Sequence, residues 1–253
     1  MSESENSLRL IYGRNPIREA LTAGDGRVKS LYAAKGQDKI GRQLLSLARQ
    51  KGVQLTNCSK AKLFEMTQIK QHQGFAAYCK SIKTLDLLGT IKNSDKPLKI
   101  LAISQVHDPG NLGAVIRNCE HCGVDLLVLA VKGSCSVQLA SVAKSSAGAV
   151  EHMPIALSDD LVHDIHRLKD QDVECLGLDM HTSEDLMQLA RPTGHRLIVL
   201  GSEGFGLSGP IQAALHGLVK IQASGRVNSL NLSSASMVAI TKMCLIDDDQ
   251  TND

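Results

Sequence analysis

Residues 197–210 read LIVLGSEGFGLSGP, an apolar run that leads into four glycines within nine residues. A short, continuous apolar run is typical of a strand buried on both faces of a parallel sheet. Glycines directly after such a strand allow main-chain amides to approach a ligand closely. This stretch therefore predicts a buried strand that ends in a loop lined by backbone groups.

Outward from this stretch, strand-like and helical patterns alternate from residue 98 to the end of the chain. Strands are predicted over 99–105, 124–130, 153–156, 173–178, 196–200 and 218–221. Such alternation indicates an α/β fold with a mainly parallel sheet and helices on both faces. Ligands of these sheets bind beyond the carboxyl ends of the strands, so the loops after Gln105, Leu200 and Ile221 are the candidate sites.

The first 80 residues form a separate pattern of short strands and helices. Strands are predicted over 28–33, 53–56 and 74–79, with helices that open near Asn15, span 38–51, and run from a Ser59 cap to Met66. Residues 81–97 lose clear periodicity and end in a turn-like stretch. The predicted organisation is a small α/β domain over 1–80, a linker over 81–97 and a larger α/β domain over 98–253.

Basic residues are concentrated at one end of the chain. Residues 1–95 hold 16 Lys and Arg against 8 Asp and Glu, a net charge of +8, whereas residues 96–253 carry a net charge of −6. Such a region favours a phosphate backbone as its partner, and a solvated Lys-rich helix face is the alternative. With three Phe, three Tyr and no Trp, RNA recognition is expected to rest on shape and phosphate contacts rather than on an aromatic sheet.

Several function classes are excluded by the same composition. No apolar run reaches the roughly 20 residues of a membrane helix, and residues 1–7 lack the features of a secretory signal. We therefore expect a cytoplasmic protein without membrane contact. The seven cysteines are scattered and odd in number, unlike a disulfide framework. Cys119 and Cys122 lack the second ligand pair of a structural zinc, so no metal is expected.

Two further segments carry polar residues suited to a site. Residues 107–123 read HDPGNLGAVIRNCEHCG and bring Asn111 to a helix start, where Asn is also a preferred N-cap. Arg117 lies in an otherwise apolar stretch of that helix, so its guanidinium must meet an anion or reach solvent. In VKIQASGRVNSLNLSSASMVAI (219–240), Asn231 and Ser233 either cap the last helix or serve a site.

The glycine loop has a rival interpretation. Gly204, Gly206 and Gly209 spell GxGxxG, the dinucleotide-binding pattern. That pattern needs an acidic residue about 20 positions further on, and no Asp or Glu occurs from Gly204 to Ile246. A pocket for another adenosine-containing cofactor fits better. Glu203 is then predicted to be the only carboxylate near that surface, with helix capping as its alternative role.

Together, NLGAVIRNCEHCG (111–123), VLGSEGFGL (199–207) and SLNLSSASMVAI (229–240) resemble the three ordered motifs of the SpoU (TrmH-type) family of SPOUT RNA methyltransferases. In the amino-terminal part, IYGRNPIREAL (11–21) and HQGFAA (72–77) resemble members that modify large-subunit ribosomal RNA. The resemblance implies a carboxy-terminal trefoil knot, an exception among protein folds. It also implies an L30e-like substrate-binding domain at the amino terminus and a homodimer with each site near the subunit interface.

The resemblance further implies roles for individual residues. S-adenosylmethionine would be held by main-chain groups of Gly201, Ile221 and Leu230. The polar positions that match the family's functional residues are Asn111, Arg117, Glu203, Ser229, Asn231 and Ser233. Many relatives have Pro where this chain has Gln222, a departure that affects the backbone beside the adenosine.

The implied function is a ribose 2′-O-methyltransferase that acts on a guanosine in the peptidyl-transferase region of 23S ribosomal RNA. Methyl transfer to a weakly acidic hydroxyl requires positioning and stabilisation of the developing alkoxide. A guanidinium stays protonated in proteins, so Arg117 is expected to act by its charge rather than as a base. The alternatives are a tRNA 2′-O-methyltransferase of the same family and a non-catalytic RNA-binding factor of ribosome assembly.

Overall fold

The computed structural model describes residues 7–202, 204–226 and 229–245. Contacts between residues divide the chain into two compact units. The described residues of Met1–Lys83 and Ser136–His152 form the amino-terminal unit, and those of Thr84–Cys135 and Met153–Asp253 form the carboxy-terminal unit. Each unit is built around a sheet of its own.

Four strands and three helices form the first part of the amino-terminal unit. The strands are β1 (Leu8–Tyr12), β2 (Val28–Ala34), β3 (Gln54–Cys58) and β4 (Phe75–Lys80), and the helices are α1 (Arg14–Thr22), α2 (Lys39–Gln50) and α3 (Lys60–Thr67). The sheet has the order β1-β4-β2-β3. Only β2 and β3 are parallel, and both neighbours of β4 are antiparallel to it.

Two helices of this unit begin at side-chain caps. Ser59 Oγ accepts a 3.1 Å hydrogen bond from the Lys62 amide, which confirms the predicted cap of α3. Asp38 accepts a 2.9 Å hydrogen bond from the Gly41 amide at the start of α2. These caps satisfy amides that have no partner within the helix. Strand β1 has no counterpart among the predicted strands.

Residues 136–152 pack with the amino-terminal unit, whereas the predicted boundaries assign them to the domain over 98–253. They contain helix α6 (Ala140–Ser145) and a 3₁₀ turn at Ala149–Glu151. The buried Glu151 carboxylate accepts hydrogen bonds from Arg9 of β1 and, at 2.5 Å, from Arg27. These ion pairs join residues more than 120 positions apart, so no local sequence pattern predicts them.

The carboxy-terminal unit contains a six-stranded sheet in which every neighbouring pair is parallel. Its strands are β5 (Lys99–Ile103), β6 (Leu126–Ala130), β7 (Ile155–Ser158), β8 (Glu174–Leu178), β9 (Arg196–Leu200) and β10 (Gly217–Val219). The order is β10-β8-β9-β5-β6-β7. The predicted parallel α/β sheet is therefore confirmed, with all six strands near their predicted positions.

Helices cover both faces of this sheet. They are α4 (Leu87–Lys92), α5 (Pro109–Cys122), α7 (Leu161–Lys169), α8 (Gly209–Ala214) and α9 (Leu232–Cys244), with a 3₁₀ turn at Leu186–Gln188. Ile100 of β5 belongs to the core formed with α4, α7 and α8. The next residue, Leu101, points to the opposite face, where α9 packs against β5 and β9. Both side chains are fully buried, which explains why these strands are apolar throughout.

The predicted linker over 81–97 contains structure. Helix α4 lies within it, and Asp86 caps that helix by accepting a 2.6 Å hydrogen bond from the Gly89 amide. Leu88 and Ile91 are buried in the core of the carboxy-terminal unit. The loss of clear periodicity over 81–97 did not reveal this helix, because a six-residue helix shows less than two turns of the apolar period.

In the part of the chain that the structure describes, no helix combines the length and the apolar character that crossing a membrane requires. The trefoil knot and the L30e-like shape of the amino-terminal unit stay predictions.

Candidate active site

A cavity of about 880 Å³ lies at the carboxyl edge of the parallel sheet. Strands β8, β9 and β10 are neighbours in the sheet, and all three end at this cavity. Leu178 at the end of β8, Leu200 at the end of β9 and Ile221, two residues beyond β10, line it. Parallel sheets bind ligands at this edge. The predicted cofactor residues Gly201, Ile221 and Leu230 all line the cavity, together with Ser229 and Asn231.

The glycine loop forms one wall of this cavity. The backbones of Ser202 and Gly206 exchange two hydrogen bonds of 3.0 and 3.1 Å, which fold the loop back on itself. Gly204 and Gly206 have φ angles of 85° and 65°, a region in which side chains with a Cβ are strained. At Gly201 an added Cβ would clash with the carbonyl carbon of Gly206 and lie 2.5 Å from the Leu207 amide nitrogen. Glycine is therefore required at position 201 for the backbone to pass this closely.

The loop before α9 forms the opposite wall. Asn231 caps α9, since its Oδ1 accepts a 2.8 Å hydrogen bond from the Ser234 amide and a 3.3 Å hydrogen bond from Ser233 Oγ. The capping role considered for Asn231 is thus present, and the same residue also lines the cavity. Ser233 is half-buried in the first turn of α9 and is not part of the lining. Gln222 is exposed at the cavity wall.

The first motif contributes no residue to the described lining of this cavity. Helix α5 begins at Pro109, and Asp108 caps it by accepting a 2.9 Å hydrogen bond from the Gly110 amide. The capping role considered for Asn111 is therefore wrong, and Asn111 lies within the first turn of α5. Asp followed by Pro at N1 is a stronger helix start than a later Asn. Arg117, two turns further along, is exposed.

A residue that the sequence analysis did not single out joins the first and third motifs. Asn118 follows Arg117, and its Nδ2 donates a 3.1 Å hydrogen bond to the Ser233 carbonyl and a 3.5 Å hydrogen bond to Ser236 Oγ. These bonds fix α5 beside the amino end of α9, close in sequence to the cavity residue Asn231. No local sequence pattern indicates this contact, because Asn118 and Ser233 are 115 positions apart.

The cavity also contains a carboxylate that the sequence analysis missed. Asp179 lines it directly after β8, so the prediction that Glu203 is the only carboxylate near this surface is wrong. Glu203 itself lies outside the described residues. The rule that ligands bind beyond strand ends would have drawn attention to Asp179, because it follows the predicted strand over 173–178. No Lys or Arg occurs among the described residues that line the cavity.

A second cavity, of about 790 Å³, lies within the amino-terminal unit. Arg14, Lys35, Lys60 and Lys70 line it, together with the exposed ring of Phe64. The single carboxylate among its described lining residues, Asp38, already accepts a 3.0 Å hydrogen bond from Arg14 Nη1. Hydrogen bonds from the Gly41 amide and from Arg14 hold the pKa of Asp38 below its usual value. The cavity therefore carries a net positive charge at neutral pH.

The cysteines give no sign of metal or disulfide chemistry in the described chain. All seven are free, and burial raises the pKa of Cys79 and of Cys175 to about 12. Burial also raises the pKa of Cys119, so this thiol of the CxxC pair stays protonated at neutral pH. Within 7–202, 204–226 and 229–245, His, Cys, Asp and Glu side chains do not gather into a group that fits a metal ion.

Known proteins are similar to this chain in sequence and in fold. A 23S rRNA (guanosine-2′-O-)-methyltransferase RlmB of Vibrio vulnificus is 32% identical over 238 residues, which cover 92% of this chain and 95% of the relative. An uncharacterised tRNA/rRNA methyltransferase of Mycobacterium sp. (strain KMS) is 30% identical over 239 residues, 92% of this chain and 75% of the relative.

Among solved structures, the SpoU methyltransferase AviRb from Streptomyces viridochromogenes, in complex with AdoMet, superposes with a TM-score of 0.77. The match covers 93% of this chain and 88% of AviRb at 21% identity, a level that establishes the fold alone. The profile for RNA 2′-O ribose methyltransferase substrate binding matches residues 10–85, and that of the SpoU rRNA methylase family matches residues 98–241, more than half of the chain. The chain belongs to the SpoU rRNA methylase family.

Proposed function

We propose that this protein is an S-adenosylmethionine-dependent ribose 2′-O-methyltransferase that acts on a guanosine of 23S ribosomal RNA, in the peptidyl-transferase region. The observation that carries the proposal is the cavity at the carboxyl edge of the sheet, where the second and third motifs converge. The function named for the Vibrio vulnificus relative, which aligns with nearly the whole chain, supports the choice of substrate.

The residues around this cavity fit S-adenosylmethionine. Its volume of about 880 Å³ lies within the range of roughly 300–1,000 Å³ that is common for small-molecule sites. The close backbone approach at Gly201 presents main-chain groups to a ligand, and Ile221 and Leu230 supply apolar contacts for a flat base. Among its described lining residues the cavity has one carboxylate and no Lys or Arg, which suits a sulfonium ligand and disfavours a pyrophosphate. The dinucleotide alternative is therefore set aside.

When bound, S-adenosylmethionine supplies an electrophilic methyl group on a positively charged sulfur. The main chain at Gly201, Ile221 and Leu230 would hold it, and Ser229 and Asn231 would orient the ribose of the RNA. Arg117 would stabilise the oxygen of the 2′-hydroxyl as the proton passes to solvent, because a positive charge held beside that oxygen favours the alkoxide. Asn111 would orient the same ribose. Glu203 and Ser233 would fix the loops around them.

Arg117 would reach the methyl donor within a homodimer. Arg117 is exposed and does not line the cavity of its own chain, yet α5 is fixed to the helix that begins at the cavity wall. In a dimer with two-fold symmetry, the same surface of both copies forms the interface, so Arg117 of one copy can lie beside the cavity of the other. We therefore propose that each site combines a cavity of one subunit with Arg117 of the other.

RNA would bind first through the basic cavity of the amino-terminal unit. Four cationic side chains and one engaged carboxylate leave a net positive charge there, which suits phosphate groups. Phe64 is 41% exposed at this cavity and offers a ring on which an unpaired base can stack. This arrangement corresponds to a substrate-docking role in the cytoplasm, separate from the transfer step.

The proposal is tested by mapping 2′-O-methyl groups on ribosomal and transfer RNA from cells with and without the protein. Loss of one methylated guanosine in the peptidyl-transferase region of 23S RNA is expected. Loss of a site in transfer RNA instead would overturn the choice of substrate. An unchanged methylation pattern together with a ribosome-assembly defect would favour a non-catalytic RNA-binding factor.

A further inference from the structure

We propose that the Asp179 carboxylate binds the ribose hydroxyls of the methyl donor. The inference rests on the proposed placement of S-adenosylmethionine in the cavity at the carboxyl edge of the sheet. The motif residues Gly201, Ile221 and Leu230 would hold the methyl donor through main-chain groups, and Asp179 would add a side-chain contact to its ribose.

The position of Asp179 follows from the register of the sheet. Strands β8 and β9 are parallel neighbours, and Leu178 pairs with Leu200 at their carboxyl ends. The next residue of each strand is therefore Asp179 in one and Gly201 in the other, side by side at the sheet edge. The amide of Asp179 donates a 2.9 Å hydrogen bond to the Val219 carbonyl at the end of β10. Asp179 is thus fixed in the middle of the three strand ends that border the cavity.

The orientation of the carboxylate is also fixed. Oδ1 accepts a 2.8 Å hydrogen bond from the His181 amide, and Oδ2 accepts a 3.3 Å hydrogen bond from Gln212 Nε2. Gln212 is held in turn, because its Nε2 also donates a 2.9 Å hydrogen bond to the Leu207 carbonyl. Each carboxylate oxygen can accept two hydrogen bonds, so each keeps the capacity to accept one from a ligand.

The carboxylate faces the glycine loop. A Cβ built on Gly206 would lie 4.0 Å from Asp179 Oδ2, so the loop backbone and the carboxylate border the same space. Asp179 is half-buried, and no Lys or Arg among the described lining residues competes for it. A carboxylate in such a position can accept hydrogen bonds from a ligand at a small desolvation cost.

Vicinal ribose hydroxyls match this arrangement. Two neighbouring O–H donors can be met by the two oxygens of one carboxylate, as in dinucleotide-binding sheets, where an acidic residue holds the ribose of an adenosine bound at a glycine loop. The sequence pattern places that acid about 20 residues after the loop. Here the acid comes before the loop in sequence, and the parallel pairing of β8 with β9 brings the two together.

Calorimetry on the full-length protein tests the inference, with S-adenosylhomocysteine and its 2′-deoxy and 3′-deoxy ribose analogues as ligands beside S-adenosylmethionine. Hydrogen bonds to a charged group predict that Asp179→Asn weakens binding of S-adenosylmethionine and S-adenosylhomocysteine by about 10- to 100-fold. The deoxy analogues bind the wild type less tightly, and the substitution weakens their binding by a smaller factor, because each of them keeps only one of the two hydroxyls. Asp159→Asn is the matched control. Asp159 directly follows β7 at the same sheet edge but does not line the cavity, so this substitution removes the same charge at a distance from the ligand.

Equal losses for the ribose and deoxy ligands would overturn the inference, because Asp179 would then act only on the shape of the site. Unchanged affinity of Asp179→Asn would overturn it as well. Thermal unfolding of each variant separates a folding defect from a binding defect, and the comparison between ligands is made within a single variant. Failure of the wild-type protein to bind S-adenosylmethionine would instead overturn the proposed function.

Discussion

Asn118 Nδ2 donates a 3.1 Å hydrogen bond to the Ser233 carbonyl, which ties the helix that carries Arg117 to the helix that Asn231 caps. The first motif thereby lies against the third motif, although more than 100 residues separate them. Arg117 itself is exposed next to this bond. Its side chain is therefore positioned by a rigid helix pair and available to a molecule outside its own chain.

Substitution of Arg117 is expected to reduce transfer without affecting the methyl donor. Arg117→Ala should lower turnover by at least about 100-fold, the usual effect of removing a group that stabilises a developing oxyanion. The affinity for S-adenosylmethionine should stay unchanged, because Arg117 does not line the cavity. Single-turnover kinetics and calorimetry measure the two effects. Arg167→Ala, on the exposed side of α7, is the control, and near-normal turnover of Arg117→Ala would contradict the assignment.

Mixing of two inactive variants is expected to restore activity. Random reassociation of Arg117→Ala with Gly201→Ala gives heterodimers in which one site has both an intact cavity and an intact arginine. About a quarter of the wild-type activity should return if a dimer shares its sites between subunits. A mixture no more active than its components would show that Arg117 serves the cavity of its own chain or none.

A methyl group at position 201 is expected to close the cofactor site. Gly201→Ala places a Cβ against the Gly206 backbone, and such overpacking costs about 1–3 kcal/mol. The glycine loop must move, so binding of S-adenosylmethionine should weaken at least about tenfold. Gly209→Ala is the control, because a Cβ there meets no atom within 4 Å. Unfolding in urea measures the stability of both variants and calorimetry their affinity. Unaltered affinity of Gly201→Ala would mean that the donor binds elsewhere.

The sequence allowed the larger sheet to be predicted well. Its strands are buried on both faces, as Ile100 and Leu101 illustrate. Each strand is therefore a continuous run of apolar residues, which can be recognised in the sequence. Helix α4 escaped prediction because it is too short to show a helical period. The placement of residues 136–152 escaped because it depends on Glu151 meeting Arg9 and Arg27 across the chain.

The candidate site was predictable in part. The glycine loop and the loop at Ile221 follow strands, so their convergence at one edge follows from the parallel sheet. Asp179 follows a predicted strand, but its position beside the glycine loop depends on which strand neighbours β9, and strand order is not encoded in any local pattern. The position of Arg117 away from the cavity was likewise hidden, because it depends on how α5 packs against α9.

The basic cavity of the amino-terminal unit is expected to account for part of the salt dependence of RNA binding. Lys60→Gln with Lys70→Gln should reduce the slope of log affinity against log salt by about 1.4, since each phosphate contact to single-stranded RNA contributes about 0.7. Lys29→Gln with Arg49→Gln is the control, because Lys29 is the second residue of β2 and Arg49 the last but one of α2, and neither lines the cavity. Filter binding of a 23S RNA transcript measures the slopes. Equal slopes for the two double variants would exclude the cavity as the docking site.

Loss of the Glu151 charge is expected to destabilise the amino-terminal unit. Arg9 is buried, and its Nε and Nη1 have no hydrogen-bond partner among the described residues, so Glu151 is its compensating charge. Removing one partner of a buried ion pair costs about 3–5 kcal/mol. Glu151→Gln should lower the free energy of unfolding by that amount in urea titrations. Glu65→Gln loses an exposed pair with Lys62 and should leave the free energy of unfolding nearly unchanged, because water screens that pair. Similar small losses for both would refute the role of the buried pair.

We propose that S-adenosylmethionine bound in the cavity beside Gly201 donates its methyl group to a ribose oxygen of 23S RNA, and one measurement tests this directly. Purified protein is incubated with a transcript of the peptidyl-transferase region and S-adenosylmethionine that carries a labelled methyl group, and the digested nucleosides are identified by mass spectrometry. We expect one labelled 2′-O-methylguanosine per transcript. A label on a base, or a transcript without label, would contradict it.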